Sequence, residues 1–505
     1  MNNKVIAKNS IFLFIRMLII LFITLYTSRV ILQALGVEDY GTYQAVGGII
    51  GLLSFLNAAL SNGSSRFITF EMGKTGNRNL QKVFQTTFVT HLIMAIIIII
   101  LAETIGLWFI HNKLVIPAGR LEAALYVYQC SIITAVITIT QVPYTALIIA
   151  HEKMSIYAYM SIIEAILKLL IVFLLLATSF DRLKLYALLL CLVQIMIAFG
   201  YRFYCIKKYK ESSLKGLRQD NQLLKEILSF SSWSLIGNGV HALNGQGLTI
   251  ITNMFFNPAV VAARALSIQV NAALLNLLQN FRTAANPQII KLYSAGEINN
   301  SKELMLSTTK FSFYLMLLLS VPIISVTTPL LSLWLKEVPE YTAIFVQLIL
   351  IQSLFYTFDT CFYTALYACG KVKENALISP FVYILQFIIT YFLFRAGYSP
   401  ISLSILGIIT SILASCIVKP ILLKRYANYN YKEIYKLICL CCLVGVCCIP
   451  ITYIAEQFIT TSISSLILKV LIVTIITLIV IVIIGLSKTE RRKIHFNINK
   501  LIKNK

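Results

Sequence analysis

Charge is scarce in this chain. Asp, Glu, Lys and Arg together make up 12% of its 505 residues, and the acidic ones number only 20. A soluble domain carries about a quarter of its residues charged, and this chain instead is 58% hydrophobic with a mean hydropathy of +0.82. One soluble core of this size cannot hide that much apolar surface; a bilayer solvates it. Catalytic signatures are missing too. The five histidines are scattered, with neither an H-E-x-x-H nor a G-x-S-x-G motif and no long polar segment to host one. No catalytic residue is expected, although an enzyme embedded in the membrane stays open. Gly73-Lys74-Thr75 resembles the end of a phosphate-binding loop, but Ile68 stands where the earlier glycine belongs. That removes the nucleotide-binding signature, so pumping on ATP would need another subunit. A cleavable leader is not expected either, because the first apolar run, 11–31, is long enough to span and lacks a small-residue cleavage site. Of eleven cysteines, Cys439, Cys441, Cys442, Cys447 and Cys448 include one C-x-x-C, in mid-helix and without His partners. They read as small lipid-compatible residues. No metal and no cofactor are expected.

The apolar sequence is present as uninterrupted runs, such as 92–101 and 470–484, which exclude the alternating strands of a membrane barrel. A membrane helix needs about 20 apolar residues. Runs of that kind fall at 11–33, 43–60, 86–110, 123–148, 156–176 and 185–204, and again at 227–255, 260–281, 311–335, 343–368, 376–394 and 401–423. Two more lie at 434–454 and 463–486. The pattern predicts an all-α integral membrane protein of about 14 transmembrane helices, two pseudo-symmetric six-helix bundles plus two C-terminal helices. The bundles are expected at 1–210 and 227–425, joined by a charged linker at 211–226, with the extra helices and a basic tail at 426–505. Residues 41–73 and 263–296 share a pattern of small residues, Asn and a closing glycine, which supports an internal repeat of the kind that flanks transporter sites.

The net charge of +23 would suggest nucleic acid in a soluble protein; here its distribution matters more, and no nucleic acid partner is expected. With the N-terminus inside, the outer loops and span ends hold only Arg29, Lys113, Arg120, Arg182, Lys184, Arg264, Lys336, Arg395 and Lys469 of the 43 basic residues. Nearly all the rest fall in inner segments. That asymmetry predicts that both termini lie on the cytoplasmic side of the membrane.

The spans are not equally apolar. The second carries Gly47, Gly48, Gly51, Ser54 and Asn57; the seventh carries Asn238, His241, Asn244, Gln246 and Asn253 among many serines and glycines; the eighth carries Gln269, Asn271, Asn276, Gln279 and Asn280. An unpaired amide in hydrocarbon costs several kcal/mol, so these faces must meet each other or water. Close packing through small residues accounts for the glycines and serines; a polar cavity accounts better for the amides. Ionisable residues at membrane depth cost about 2.5–3.5 kcal/mol each on insertion scales. Arg16, Glu164, Lys168, Arg264 and Asp359 are the candidates, with Arg29 and Arg282 near span ends. Glu164 and Lys168, one turn apart, could neutralise each other, and Arg29 and Arg282 could reach headgroups. A guanidinium fork suits a phosphate, which motivates a cationic cavity for an anionic substrate.

Two local strings carry a family resemblance. Leu35-Gly36-Val37-Glu38-Asp39-Tyr40-Gly41, between the first two helices, resembles an LG-x-x-x-YG signature, and Asn286-Pro287-Gln288-Ile289-Ile290-Lys291, after the eighth helix, resembles a stretch common in lipopolysaccharide-type members of one transporter family. With the helix count, they make the chain similar to the polysaccharide flippases of the multidrug/oligosaccharidyl-lipid/polysaccharide exporter superfamily. The resemblance implies a cleft lined by the first, second, seventh and eighth helices. It also implies alternating access and an undecaprenyl-pyrophosphate-linked oligosaccharide as substrate, for lipopolysaccharide or capsule synthesis. Cavity arginines would hold the pyrophosphate, and Arg16 and Arg264 lie in the matching helices. Arg29, Arg282, Lys168, Asn57, Asn238, Asn244, Gln246 and Asn271 complete the expected substrate contacts, with Asp359 and Glu164 as candidates for ion coupling. Membrane lipids, a polysaccharide polymerase and a chain-length regulator are the other expected partners. A cation-coupled multidrug antiporter of the same fold, which would need an acid-lined cavity, and a membrane scaffold for glycan assembly are the alternatives.

Overall fold

The computed structural model describes residues 3–73, 79–151, 153–178, 180–216, 220–370, 372–457 and 462–492. Side chains before residue 19, Arg16 among them, lie outside the described residues, as do those of Asn62 and Asn280. No strand occurs among the described residues. Hydrocarbon offers no partner to a backbone N–H or C=O, so each apolar run must satisfy its own backbone as helix.

The chain divides into two compact units. The first comprises Met1–Ala265, Leu335–Glu340 and Tyr383–Pro400. It holds α1 (Asn3–Leu52), α2 (Ser54–Gly73), α3 (Leu80–Leu101), α4 (Leu107–Asn112), α5 (Leu121–Ala150), α6 (Met154–Leu176), α7 (Arg182–Lys208), α8 (Asn221–Ala242) and α9 (Leu248–Phe255). Helix α10 (Pro258–Ser294) begins in the first unit and continues in the second. The second comprises Leu266–Trp334, Tyr341–Val382 and Ile401–Lys505. It holds α11 (Ile298–Ser325), α12 (Thr327–Trp334), α13 (Thr342–Ala368), the first part of α14 (Val372–Arg395), α15 (Ile401–Ile412), α16 (Lys419–Ala427), α17 (Tyr431–Gln457) and α18 (Ile463–Val480). In the first unit α5 packs on α2, α3 and α7, and α2 on α8; in the second α11 packs on α13, α17 and α18.

Twelve helical stretches among the described residues are long and apolar enough to cross a membrane. The expected second and seventh spans are the two that this measure does not count separately. Gly36, at φ 79°, breaks the first run from the second inside α1, and the second run then crosses into the polar α2. The seventh divides into α8, a π turn and α9. Large apolar side chains elsewhere stand outward, with Phe22, Trp108, Phe199 and Ile483 all more than half exposed. Such a surface needs lipid around it.

Among the described residues, three π turns interrupt these helices, at Ala102–Gly106, Leu243–Gly247 and Leu413–Val418, and a fourth, at Ile481–Gly485, ends α18. A π turn displaces a carbonyl from its usual partner, and in each of the four a side chain takes up a carbonyl. Tyr128 donates to Ala102 O at 2.8 Å, Arg264 to Gly245 O at 3.4 Å, Tyr435 to Cys416 O at 3.1 Å and Tyr314 to Gly485 O at 3.1 Å. Gly106 and Gly485 leave the room that the two buried tyrosine rings occupy, since a Cβ on either would overlap the phenol.

Ion pairs tie the ends of the first unit. At one end Arg120 donates to Asp39 Oδ1 and Asp181 Oδ2, each at 2.8 Å, which joins the connections after the first, third and fifth spans. Arg182 adds a bond to Ala34 O at 3.0 Å. At the other end Lys82 lies 2.8 Å from Asp220 and His151 2.7 Å from Glu211, joining the second, fourth and sixth connections. In the numbering of the fourteen expected spans, odd connections meet odd and even meet even. Asp181 also caps α7, accepting from Leu183 N at 3.0 Å and Lys184 N at 3.3 Å. Burial raises its carboxyl pKa, but the Arg120 guanidinium and those two N–H groups outweigh it and hold the group below the ordinary carboxylate value.

Candidate substrate and ion sites

A cavity of about 340 Å³ lies within the first unit, inside the range of small-ligand pockets. Its wall is built from the second half of α1, the start of α2, and faces of α3, α5, α6 and α7. Gly47 and Gly51 open the space, and Ser54, Asn57, Ser131, Thr134, Thr138 and Gln194 give it polar patches. Ser131, Thr134 and Thr138 spend their hydroxyl protons on the carbonyls four residues back, at 2.8 Å each, so they face the cavity chiefly as acceptors. Lys168 is the one charged residue among those lining the wall. Its Nζ donates to Glu164 at 2.6 Å, and its side chain is 45% exposed.

The polar seventh segment forms a second group in the same unit. Gln246 packs over Gly48 and Gly51 of α1, close enough that a Cβ at Gly51 would meet its Cδ at 3.1 Å. Asn244 donates to Tyr383 O at 2.9 Å. Arg264 is buried and donates to Asn244 O at 3.5 Å and Gly245 O at 3.4 Å, so its guanidinium serves the π turn of its own unit. Asn238 is half-buried on α8, and Arg29 is exposed on α1.

The second unit holds the remaining candidates. Arg282 on α10 is buried and donates to Gln279 at 2.8 Å and to Thr360. Asn271 accepts from Ser353 at 2.7 Å. Asp359 on α13 lies 3.3 Å from Nζ of Lys419, which also donates to Asn375 Oδ1 at 2.5 Å. Asp359 is therefore not an open carboxylate, because the chain supplies its counter-ion.

Three functional candidates escape the sequence reading. Lys419 precedes Lys424 and Arg425, and Arg202 precedes Lys207 and Lys208, so each merges with the basic residues of a helix end. Arg202 in fact donates to Thr140 at 2.7 Å over the ring of Tyr144. His91, wholly buried, lies 2.9 Å from Thr87 O and 3.5 Å from Ser64 Oγ. Its only sequence signal is a polar residue opening a long apolar run. Among the described residues no three His, Cys, Asp or Glu gather as metal ligands, and all eleven cysteines are free thiols.

Comparison with known proteins places this architecture. The model of the MatE family matches residues 243–392. No curated protein sequence matches the chain. Among solved structures, lipid II flippase MurJ in an inward closed conformation superposes with a TM-score of 0.65 at 15% identity, covering 93% of this chain and 98% of its own. An inward-facing multidrug resistance MATE family transporter of the MOP superfamily gives 0.64 at 15% identity, over 82% of this chain and 96% of its own. A MOP superfamily transporter from Pyrococcus furiosus, described as having a binding pocket of reverse polarity, gives 0.62 at 14% identity over 83% and 96%. The chain has the fold of MOP superfamily transporters.

Proposed function

We propose that the chain flips an undecaprenyl-pyrophosphate-linked oligosaccharide from the cytoplasmic to the periplasmic leaflet by alternating access, for lipopolysaccharide or capsule synthesis. The observation that carries the reading is the sign of the charge held inside the helices. Lys168 on the cavity wall, Arg202, Arg264, Arg282 and Lys419 outnumber Glu103, Glu164 and Asp359. A cationic interior favours a diphosphate and disfavours the cationic drugs that an acid-lined cavity would take. Hydroxyl and amide acceptors replace water around the sugar, whose transfer into hydrocarbon would cost several kcal/mol for each bare polar group. Carrying two negative charges outward gains about 4–5 kcal/mol per 100 mV when they cross uncompensated. Arg16, Arg264 and Lys168, all of the first unit, are the phosphate contacts in this reading. Fourteen passes in two six-helix bundles, with both termini in the cytoplasm of the inner membrane, complete it, and a polymerase and chain-length regulator act next on the product.

The coverage of the two comparisons also favours it. The flippase accounts for 93% of the chain against 82% for the multidrug transporter, a difference about the size of the α17–α18 hairpin. The MatE match over 243–392 favours the other reading, a multidrug antiporter. Deleting the gene separates them. Flipping predicts lipid-linked oligosaccharide trapped in the cytoplasmic leaflet with drug sensitivity unchanged; changed drug sensitivity with normal glycan gives the case to the antiporter. Lys168→Ala and Arg264→Ala should each reduce export about tenfold, the worth of one charge-assisted hydrogen bond. Full export by both variants removes them as contacts.

A further inference from the structure

The buried ammonium of the second unit meets three partners. Lys419 is 1% exposed, and an ammonium has three N–H groups to place. Asp359 Oδ1 lies at 3.3 Å, Asn375 Oδ1 at 2.5 Å, and the Tyr363 ring has its centroid 5.4 Å from Nζ. Ser379 donates to the same Asn375 oxygen at 2.9 Å, which fixes the amide with its oxygen toward the ammonium. These acceptors come from α13 and α14 and the ammonium from α16. A carboxylate and an amide oxygen around one enclosed point are ligands for a metal cation, and the aromatic face adds attraction for a monovalent charge. An empty seat would leave a buried carboxylate without a counter-charge.

We propose that Asp359, Asn375 and Tyr363 form a monovalent-cation seat that the chain fills with its own Lys419 ammonium. Sodium and potassium are thereby shut out of it, and cargo movement draws on no cation gradient through this seat. The inference concerns the ion and not the cargo, so it holds for a flippase and for an antiporter alike, and its test needs no transport assay.

The full-length protein, purified in detergent, is melted in NaCl, KCl or choline chloride at equal ionic strength. The wild type should melt alike in all three. Lys419→Ala empties the seat, and NaCl or KCl should raise its melting temperature over choline by about 2 °C or more. The double variant Asp359→Asn with Lys419→Ala should lose that salt preference. Equal melting of Lys419→Ala in the three salts overturns the proposal. Should Lys419→Ala fold only when prepared in NaCl or KCl, the seat has accepted a metal ion. Failure to fold in every salt while the double variant folds says that no ion can replace the ammonium, and overturns it. The wild type decides independently, because a sodium-induced rise that Asp359→Asn abolishes would show the seat open to metal already.

Discussion

Two ion clusters in this chain use the same chemistry in opposite surroundings. Arg120 bridges Asp39 and Asp181 at a helix-bundle end, with side chains 20–30% exposed. Lys419 meets Asp359 inside the second unit, at 2% and 13%. Water and salt still reach the first cluster and screen it. The second has given up its hydration, so its attraction does little more than cancel a desolvation cost. The difference teaches that the inner pair is costly to half-remove and cheap to remove whole, whereas the outer cluster is cheap either way. The largest expected effect tests this directly. Lys419→Met, measured in choline, should destabilise the protein by about 3–5 kcal/mol, and the double variant Asp359→Asn with Lys419→Met should recover most of it. Unfolding in detergent reads both, and equal losses in the single and double variants would erase the contrast.

The outer cluster then needs another source of strength, and the backbone beneath it provides one. Asp39 sits in the 35–41 string, where Gly36 takes φ 79° and a Cβ on Gly41 would lie 1.9 Å from the carbonyl oxygen of Pro258. Tyr40 is buried between these glycines. The next largest effect is therefore expected at Gly41→Ala, a loss of about 1–3 kcal/mol from overpacking against backbone that cannot rotate away. A Cβ on Gly47, six residues on, would meet nothing within 4 Å, and Gly47→Ala should gain up to about 1 kcal/mol of helix propensity. A Gly41→Ala variant as stable as Gly47→Ala would break the argument that packing, not charge, holds this end.

These same residues mark what can be read from sequence. The helical membrane fold is legible in the apolar runs, because hydrocarbon leaves the backbone no other choice. The 35–41 string stands out for its two glycines, and the structure supplies the reasons: one extended backbone position at positive φ and one close approach. The polar second and seventh segments are also visible, as runs of Gly, Asn and Gln. What stays hidden is pairing across helices. Asp359 has Lys419, sixty positions on, beside it, and Arg264 has the carbonyls of the π turn at Leu243–Gly247; neither pairing shows in the order of residues. Hydropathy reports burial in lipid and is silent on which buried group faces which.

The smallest expected effect belongs to the charges of the outer cluster themselves. Arg120→Ala should cost only about 1 kcal/mol or less near neutral pH, because both acids keep access to water and the geometry must be held against side-chain entropy. Acid separates its contribution from the rest. The Asp181 carboxyl is raised by burial but lowered further by Arg120 and by the N–H groups of Lys184 and Leu183, for a net fall below its ordinary value. A carboxyl with a depressed folded-state pKa adds stability at any pH above its unfolded value, and that stability disappears as pH falls through the folded value. The wild type should thus lose stability below about pH 4. Without Arg120 the two cap bonds at the start of α7 remain, so the variant should lose less over the same range. High salt should shrink the gap between the two proteins. Identical acid slopes for wild type and variant would mean that Arg120 does not depress the carboxyl, and that the outer cluster is held by its glycines alone.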